Sequence, residues 1–133
     1  LLPALPEDRA YVRAVAQMIA CDIHPLNNLR VLRYLKKSYE LDEEGVNRWY
    51  RRWIAEGLGG LEAYLAGAKK SGSYCYRDQI TIADCCLVPQ IFNGKRFDVN
   101  FDGLPRTMAA FDACMKLEAF QQAQPSNCPD NDA

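Results

Sequence analysis

The stretch Asp42-Glu43-Glu44-Gly45-Val46-Asn47-Arg48-Trp49-Tyr50-Arg51-Arg52-Trp53-Ile54-Ala55-Glu56-Gly57-Leu58-Gly59-Gly60-Leu61-Glu62-Ala63-Tyr64-Leu65 decides the fold class. Val46, Trp49, Tyr50, Trp53, Ile54, Gly57, Leu58, Leu61, Tyr64 and Leu65 recur at steps of three and four. That spacing lays side chains along one face of an α-helix. Arg48, Arg51, Arg52 and Glu56 fall mainly on the other face, as a solvated surface would. Asp42 is a suitable N-cap, and Glu43 and Glu44 complement the positive end of the helix dipole. Gly57, Gly59 and Gly60 each lower helix propensity, so close approach of a neighbouring helix is the expected reason for them. The Trp and Tyr residues of the apolar face are expected in the core.

The helical pattern extends in both directions. Pro6, with Glu7 and Asp8, opens an earlier helix whose apolar face is Val12, Val15, Ala16, Ile19 and Ile23. Pro25 cannot donate to the carbonyl of Cys21, so this helix must kink or restart there. Leu26, Leu29, Leu32, Leu35 and Tyr39 then resume the stripe. Two Gly, two Ser and a Lys pair within residues 67–79 read as a loop. Thr81-Ile82-Ala83-Asp84 is a capping-box pattern with Asp at the fourth place. Its helix runs through Cys86, Leu87, Val88 and Ile91, with a kink expected at Pro89. Pro105 opens another helix carrying Met108, Phe111, Met115 and Leu117-Glu118, and Ala119 to Ala123 make a short last one. Six Val, six Ile and two Thr are too few for a sheet-rich domain, and two-residue alternation is absent. The fold class is all-α, a bundle of about five helices.

Chain length and composition narrow the rest. One hundred and thirty-three residues make one domain that can form a core without disulfides. Apolar residues at 49% and charged residues at 25% are the ordinary globular mix. A formal charge of −1 argues against a nucleic-acid footprint or a polybasic membrane contact over the whole domain. No apolar run approaches the ~20 residues that span a bilayer, so no membrane partner is expected. No secretory signal is visible, and the six cysteines at 21, 75, 85, 86, 114 and 128 form no CxxC pair. They read as reduced thiols in a cytoplasmic protein, with no metal site. Residues 1–6, rich in Pro and lacking an initiator Met, read as a linker from a preceding domain. Residues 7–124 form the helical domain, and residues 125–133 a polar tail.

Few side chains point to chemistry. His24, the sole histidine, sits at the Pro25 break with Asp22, Asn27 and Asn28 around it. These groups either carry function or satisfy the carbonyls that Pro25 frees. Cys21 and His24 could share a helix face, but no third group orients them as a nucleophile pair. Cys85 and Cys86 lie in the first turns of a helix, where apolar packing is the expected role. Arg96, in a connection containing Gly94, is suited to gripping a carboxylate with two parallel hydrogen bonds.

Ala20-Cys21-Asp22-Ile23-His24-Pro25-Leu26-Asn27-Asn28-Leu29-Arg30-Val31-Leu32 resembles the first long helix of the C-terminal domain of zeta-class glutathione transferases. That family includes maleylacetoacetate and maleylpyruvate isomerases. Cys85-Cys86-Leu87-Val88-Pro89-Gln90, then Asn93 and Arg96-Phe97-Asp98-Val99, is similar to the same class. The resemblance covers roughly residues 1 to 130. It implies that an N-terminal thioredoxin-like domain precedes these helices, and that this domain carries the Ser-Ser-Cys motif activating glutathione. No residue here matches that motif, so no catalytic residue is expected in this chain and the chain alone should be inactive.

The resemblance further implies glutathione as cofactor, touched by His24 and Asn28, and a small dicarboxylic keto acid as substrate, held by Arg96. It implies a homodimer for the whole protein and a place in aromatic amino-acid catabolism. The expected reaction is cis-trans isomerisation of maleylacetoacetate to fumarylacetoacetate. Leu29, where maleylpyruvate-isomerising relatives can carry Arg, leans toward that substrate. Gly94 stands where Ala is usual, and Leu104 where Tyr often precedes the Pro; both adjoin Arg96. A general glutathione transferase, a maleylpyruvate isomerase and a non-catalytic helical interaction module remain as alternatives.

Overall fold

A computed structural model describes residues 1–129, so the last four residues of the polar tail lie outside the described part. Helix α1 (Pro6–Gln17) has Pro6 in its first turn, where no N–H is required. It continues as a π-helical segment, Met18–Ile23, in which the N–H of His24 bonds back to the carbonyl of Ile19. The wider π winding takes up the missing donor of Pro25 before the break itself. One further turn, α2 (His24–Leu26), ends at Asn27. Asn28 then caps α3 (Leu29–Ser38), its side-chain oxygen accepting the N–H of Arg30 at 3.1 Å. The interruption expected at Pro25 is thus spread over ten residues, with the chain leaving the helix two residues after the proline.

Helix α4 (Glu43–Ala68) is the long central element. Asp42 caps it, accepting the N–H of Gly45 at 2.8 Å. It ends where Lys69 adopts a left-handed backbone, φ 52°. The segment from Lys69 to Ile80 forms no helix and leads into α5 (Ile82–Arg96). Helix α6 (Pro105–Cys114) and α7 (Glu118–Gln122) follow, then a 3-10 turn at Pro125–Asn127. Leu117 and Glu118 therefore open α7 instead of closing α6.

The core lies where α1, the π segment, α4, α5 and α6 meet. Val12, Val15, Ile54, Leu58, Leu61, Leu65, Leu87, Ile91 and Cys114 have no exposed surface. Each such Leu, Ile or Val contributes about 1.5–3 kcal/mol over its exposed state. Trp49 and Trp53 are half-buried, at the margin of this core. The indole N–H of Trp49 donates to the carbonyl of Leu26 at 2.8 Å, satisfying an acceptor left free at the end of α2.

Of Gly57, Gly59 and Gly60 on α4, one explains the close packing. A Cβ on Gly57 would lie 2.4 Å from Cγ1 of Ile23, so the π segment rests directly on the backbone of α4. Gly59 and Gly60 have nothing within 4 Å of that position, and helix contact does not account for them.

Buried carboxylates join elements far apart in the chain. Asp8 on α1 accepts from Lys70 Nζ at 2.6 Å and Tyr76 Oη at 2.8 Å, pinning the irregular segment before α5. The Lys70 and Tyr76 hydrogen bonds hold its carboxyl below the usual range. Glu62 on α4 accepts from the backbone N–H groups of Arg106 and Thr107 at 3.2 and 2.9 Å. It also accepts from Thr107 Oγ1 at 2.8 Å and Arg106 Nη1 at 3.4 Å. Leu104, the N-cap of α6, has no side-chain oxygen, so Glu62 supplies the cap from another helix. Burial disfavours the charge of Glu62, but the bonds from Thr107 and Arg106 outweigh it and lower its pKa.

Two predictions follow from this packing. Gly57→Ala should destabilise the protein by at least 1 kcal/mol, whereas Gly59→Ala should stabilise it by up to about 1 kcal/mol, the helix-propensity difference between Gly and Ala; urea unfolding of both variants reads the difference. The stabilisation from ionised Glu62 is complete above its unfolded pKa of about 4.3 and disappears as pH falls through the lower folded value. Below pH ~4, Glu62→Gln should therefore lose stability less steeply with acid than the wild type, as unfolding midpoints against pH will record.

Candidate functional site

Helix α5 positions the candidate site, and its start is tightly held. The carboxylate of Asp84, fully buried, accepts from the N–H of Thr81 at 2.8 Å and from Thr81 Oγ1 at 3.0 Å. Its other oxygen accepts the N–H of Cys75 at 2.9 Å. Thr81 Oγ1 in turn accepts the N–H of Ala83 at 3.3 Å, and both halves of the capping box are formed. The N–H of Ile82 donates to the carbonyl of Leu1 at 3.0 Å, so the first residue is anchored beside the same helix start.

From that anchor one face of α5 presents Cys85, Val88, Pro89, Phe92, Asn93 and Arg96. These residues recur at steps of three and four and line a cleft of about 820 Å³. From Cys85 to Arg96 the wall runs about 16 Å, at 1.5 Å per residue. The opposite wall is α7 with its flanks, from Leu117 to Pro125, and Leu1 and Ile80 also line the cleft. Most of the surface is apolar.

The far end of α5 is fixed by packing. Phe97 stacks on Tyr50, ring centroids 3.7 Å apart. A Cβ on Gly94 would come within 2.8 Å of the Phe101 ring, so glycine lets the following connection fold against the helix behind Arg96. Arg96 itself is exposed to the cleft and forms no ion pair among the described residues. A guanidinium that is permanently charged, unpaired and set in an apolar wall favours an anionic ligand.

The other expected site residues lie elsewhere. His24 is exposed at the start of α2, and Asn28 is half-buried as the cap of α3. Neither lines the cleft with Arg96. Leu29, beside them, is 57% exposed. Asn27 is buried, and neither polar atom of its side chain has a partner. Cys21 and His24 share no hydrogen bond among the described residues, which leaves the nucleophile pair without support. Cys85 is a correction: it is exposed and lines the cleft rather than packing inside. Partial burial and the Asp84 carboxylate raise its thiol pKa, so the position near a helix N-terminus does not yield a thiolate. Cys114, in the core, is pushed up to about 12 by burial. All six cysteines are unpaired.

The wall formed by α7 was not legible in the sequence. The stripe on α5 was available as a periodicity, but nothing local shows which stripe faces a cavity and which faces the core.

This arrangement, a helical bundle organised around a capping-box helix with an arginine-bearing cleft at one side, is that of a glutathione-transferase C-terminal domain. Comparison with known proteins narrows it. No family model matches the chain. A maleylpyruvate isomerase from a Ralstonia species is 44% identical over 131 residues, covering 98% of this chain and 62% of its own length. A solved maleylpyruvate isomerase described as a bacterial zeta-class glutathione transferase superposes with TM-score 0.94 at 45% identity, covering 98% of this chain and 61% of that one. The maleylpyruvate isomerase of Pseudomonas aeruginosa PAO1 gives 0.91 at 40%, with 98% and 68% covered. A maleylacetoacetate isomerase from Methylobacterium extorquens AM1, solved with malonate and glutathione, gives 0.94 at 32%, with 100% and 62% covered. The chain belongs to the zeta-class glutathione transferase family of maleylacetoacetate and maleylpyruvate isomerases. It spans about 60% of the length of the curated relatives it matches.

The anchoring of α5 sets a graded expectation. Thr81→Ala should cost about 1 kcal/mol, as lost caps do. Asp84→Ala should cost more, about 3 kcal/mol, because it leaves the buried N–H groups of Thr81 and Cys75 without acceptors. Equal unfolding midpoints for the two variants would show that Asp84 acts only as a local cap.

Proposed function

We propose that this domain forms the substrate side of a glutathione-dependent cis-trans isomerase acting on maleyl-type keto diacids, with maleylacetoacetate as the first substrate to assay. The observation that carries this reading is the unpaired Arg96 in a mostly apolar cleft. Arg96 grips one carboxylate of the substrate in two charge-assisted hydrogen bonds. Phe92, Val88 and the α7 wall exclude water around the unsaturated chain. The bound glutathione supplies a thiolate that adds to the cis double bond, permits rotation about the resulting single bond, and leaves.

The donor set near the Pro25 break suits glutathione, which is rich in carboxylate and amide oxygens. The side-chain oxygen of Asn28 is committed to Arg30, so its NH2 group is free to donate. His24, exposed one turn earlier, offers an imidazole. In the proposed assembly both contact glutathione across the interface of a homodimer. Thiol activation belongs to a thioredoxin-like domain preceding residues 1–6, and the 133 residues alone are inactive. The proposed setting is the cytoplasm and aromatic amino-acid breakdown. No described helix is long and apolar enough to cross a membrane.

The test is glutathione-dependent isomerisation of maleylacetoacetate, with maleylpyruvate in parallel, by the complete polypeptide and by these 133 residues alone. Activity in the first and none in the second is expected. In the complete protein, Arg96→Ala should lower kcat/KM for the diacid about 10- to 100-fold, the worth of one charged hydrogen-bonding contact, with glutathione affinity unchanged. Conjugation of chlorodinitrobenzene without isomerisation would overturn the reading in favour of a general transferase.

A further inference from the structure

The cleft wall holds a second polar side chain that neither the family resemblance nor the cleft's overall shape gives a task. Asn93 lies three residues before Arg96, so its Cβ sits about 5–6 Å from that of Arg96 on the same helix face. It is half-buried and lines the cleft. Two other polar side chains that line the cleft have hydrogen-bond partners within their own segment. Glu118 Oε1 accepts from Gln122 at 2.7 Å, and the amide of Gln124 donates to the carbonyl of Phe120 at 3.1 Å. The side-chain amide of Asn93 makes no hydrogen bond among the described residues, although a half-buried amide gains by making one. Arg96 and Asn93 thus stand side by side as a charged fork and a neutral donor, with only apolar surface beyond them toward Cys85.

The geometry points to Asn93 as the donor for the ketone oxygen of the substrate, the atom on which negative charge gathers when the double bond is attacked. This inference rests on the isomerase reading above. With a carboxylate on Arg96, an oxygen a few bonds along the same molecule falls within reach of the Asn93 NH2. As the new carbon–sulfur bond forms, the π pair of the alkene shifts toward the ketone and its oxygen becomes the acceptor of a strengthened hydrogen bond. As the carbon–sulfur bond breaks, the pair returns to re-form the alkene, and no proton leaves the amide. A neutral donor fixed at that place in an apolar wall stabilises charge that develops only during reaction. A cation there would instead hold a carboxylate as firmly before the reaction as during it.

The role separates cleanly from that of Arg96. In the complete protein, Asn93→Ala and the uncharged, similar-sized Asn93→Leu should each lower kcat about 10²-fold, the loss seen when one such donor is removed, while KM for the diacid stays within about threefold. Arg96→Ala should act chiefly on KM. A binding measurement without glutathione gives an independent readout. A 2,4-diketo acid, whose enolate oxygen lies near its carboxylate, should bind Asn93→Ala about tenfold more weakly by titration calorimetry, and malonate should bind it as it binds the wild type. Arg96→Ala should weaken both ligands. Unchanged kcat in both Asn93 variants, or equal weakening of the two ligands, overturns the assignment while leaving the isomerase reading intact. A wild type that isomerises nothing and binds neither acid overturns both.

Discussion

Everything the cleft requires starts from one buried charge. Asp84 has no exposed surface, yet its two oxygens accept from Thr81 and from Cys75. A carboxylate without those donors would not be tolerated there. With them, it fixes the first turn of α5, the end of the irregular segment before it and, through the adjoining N–H of Ile82, the first residue of the chain. The direction of α5 follows, and so does the placement of Arg96 eleven residues beyond Cys85. Asp8 and Glu62 repeat the device, each satisfying polar groups on an element remote in sequence.

The interruption at Pro25 serves the packing as well as the chain path. The π segment sets Ile23 against bare backbone at Gly57. A residue with any side chain at position 57 would force those elements apart. His24, exposed, and Asn28, half-buried, do not line the cleft that Arg96 lines.

The α5 wall of the cleft has a cation and a neutral amide at one end and apolar surface over the rest, and its α7 wall is largely apolar. Such a surface can hold an unsaturated acid and keep water away. The thiol it exposes among the described residues, Cys85, has its pKa raised by partial burial and by the Asp84 carboxylate.

The helices, the capping box of α5 and the N-cap of α4 were determined by the sequence itself, because each depends on residues within one or two turns. Side chains three and four apart share a face whatever the rest of the chain does, and Thr81 reaches Asp84 by helix geometry alone. The family motifs are equally local, and they named Arg96, His24 and Asn28 without showing that the first stands apart from the other two. Only the tertiary structure decided that Glu62 caps α6 from 44 residues earlier, and that Asp8 holds Tyr76 from 68 residues away. It alone distinguished Gly57, pressed against Ile23, from Gly59 and Gly60, which touch nothing. It placed Cys85 and Asn93 in the cleft, the amide of Asn93 without a hydrogen-bond partner among the described residues. These facts depend on which faces meet when separate helices pack, and no spacing along the chain encodes the partner across that contact.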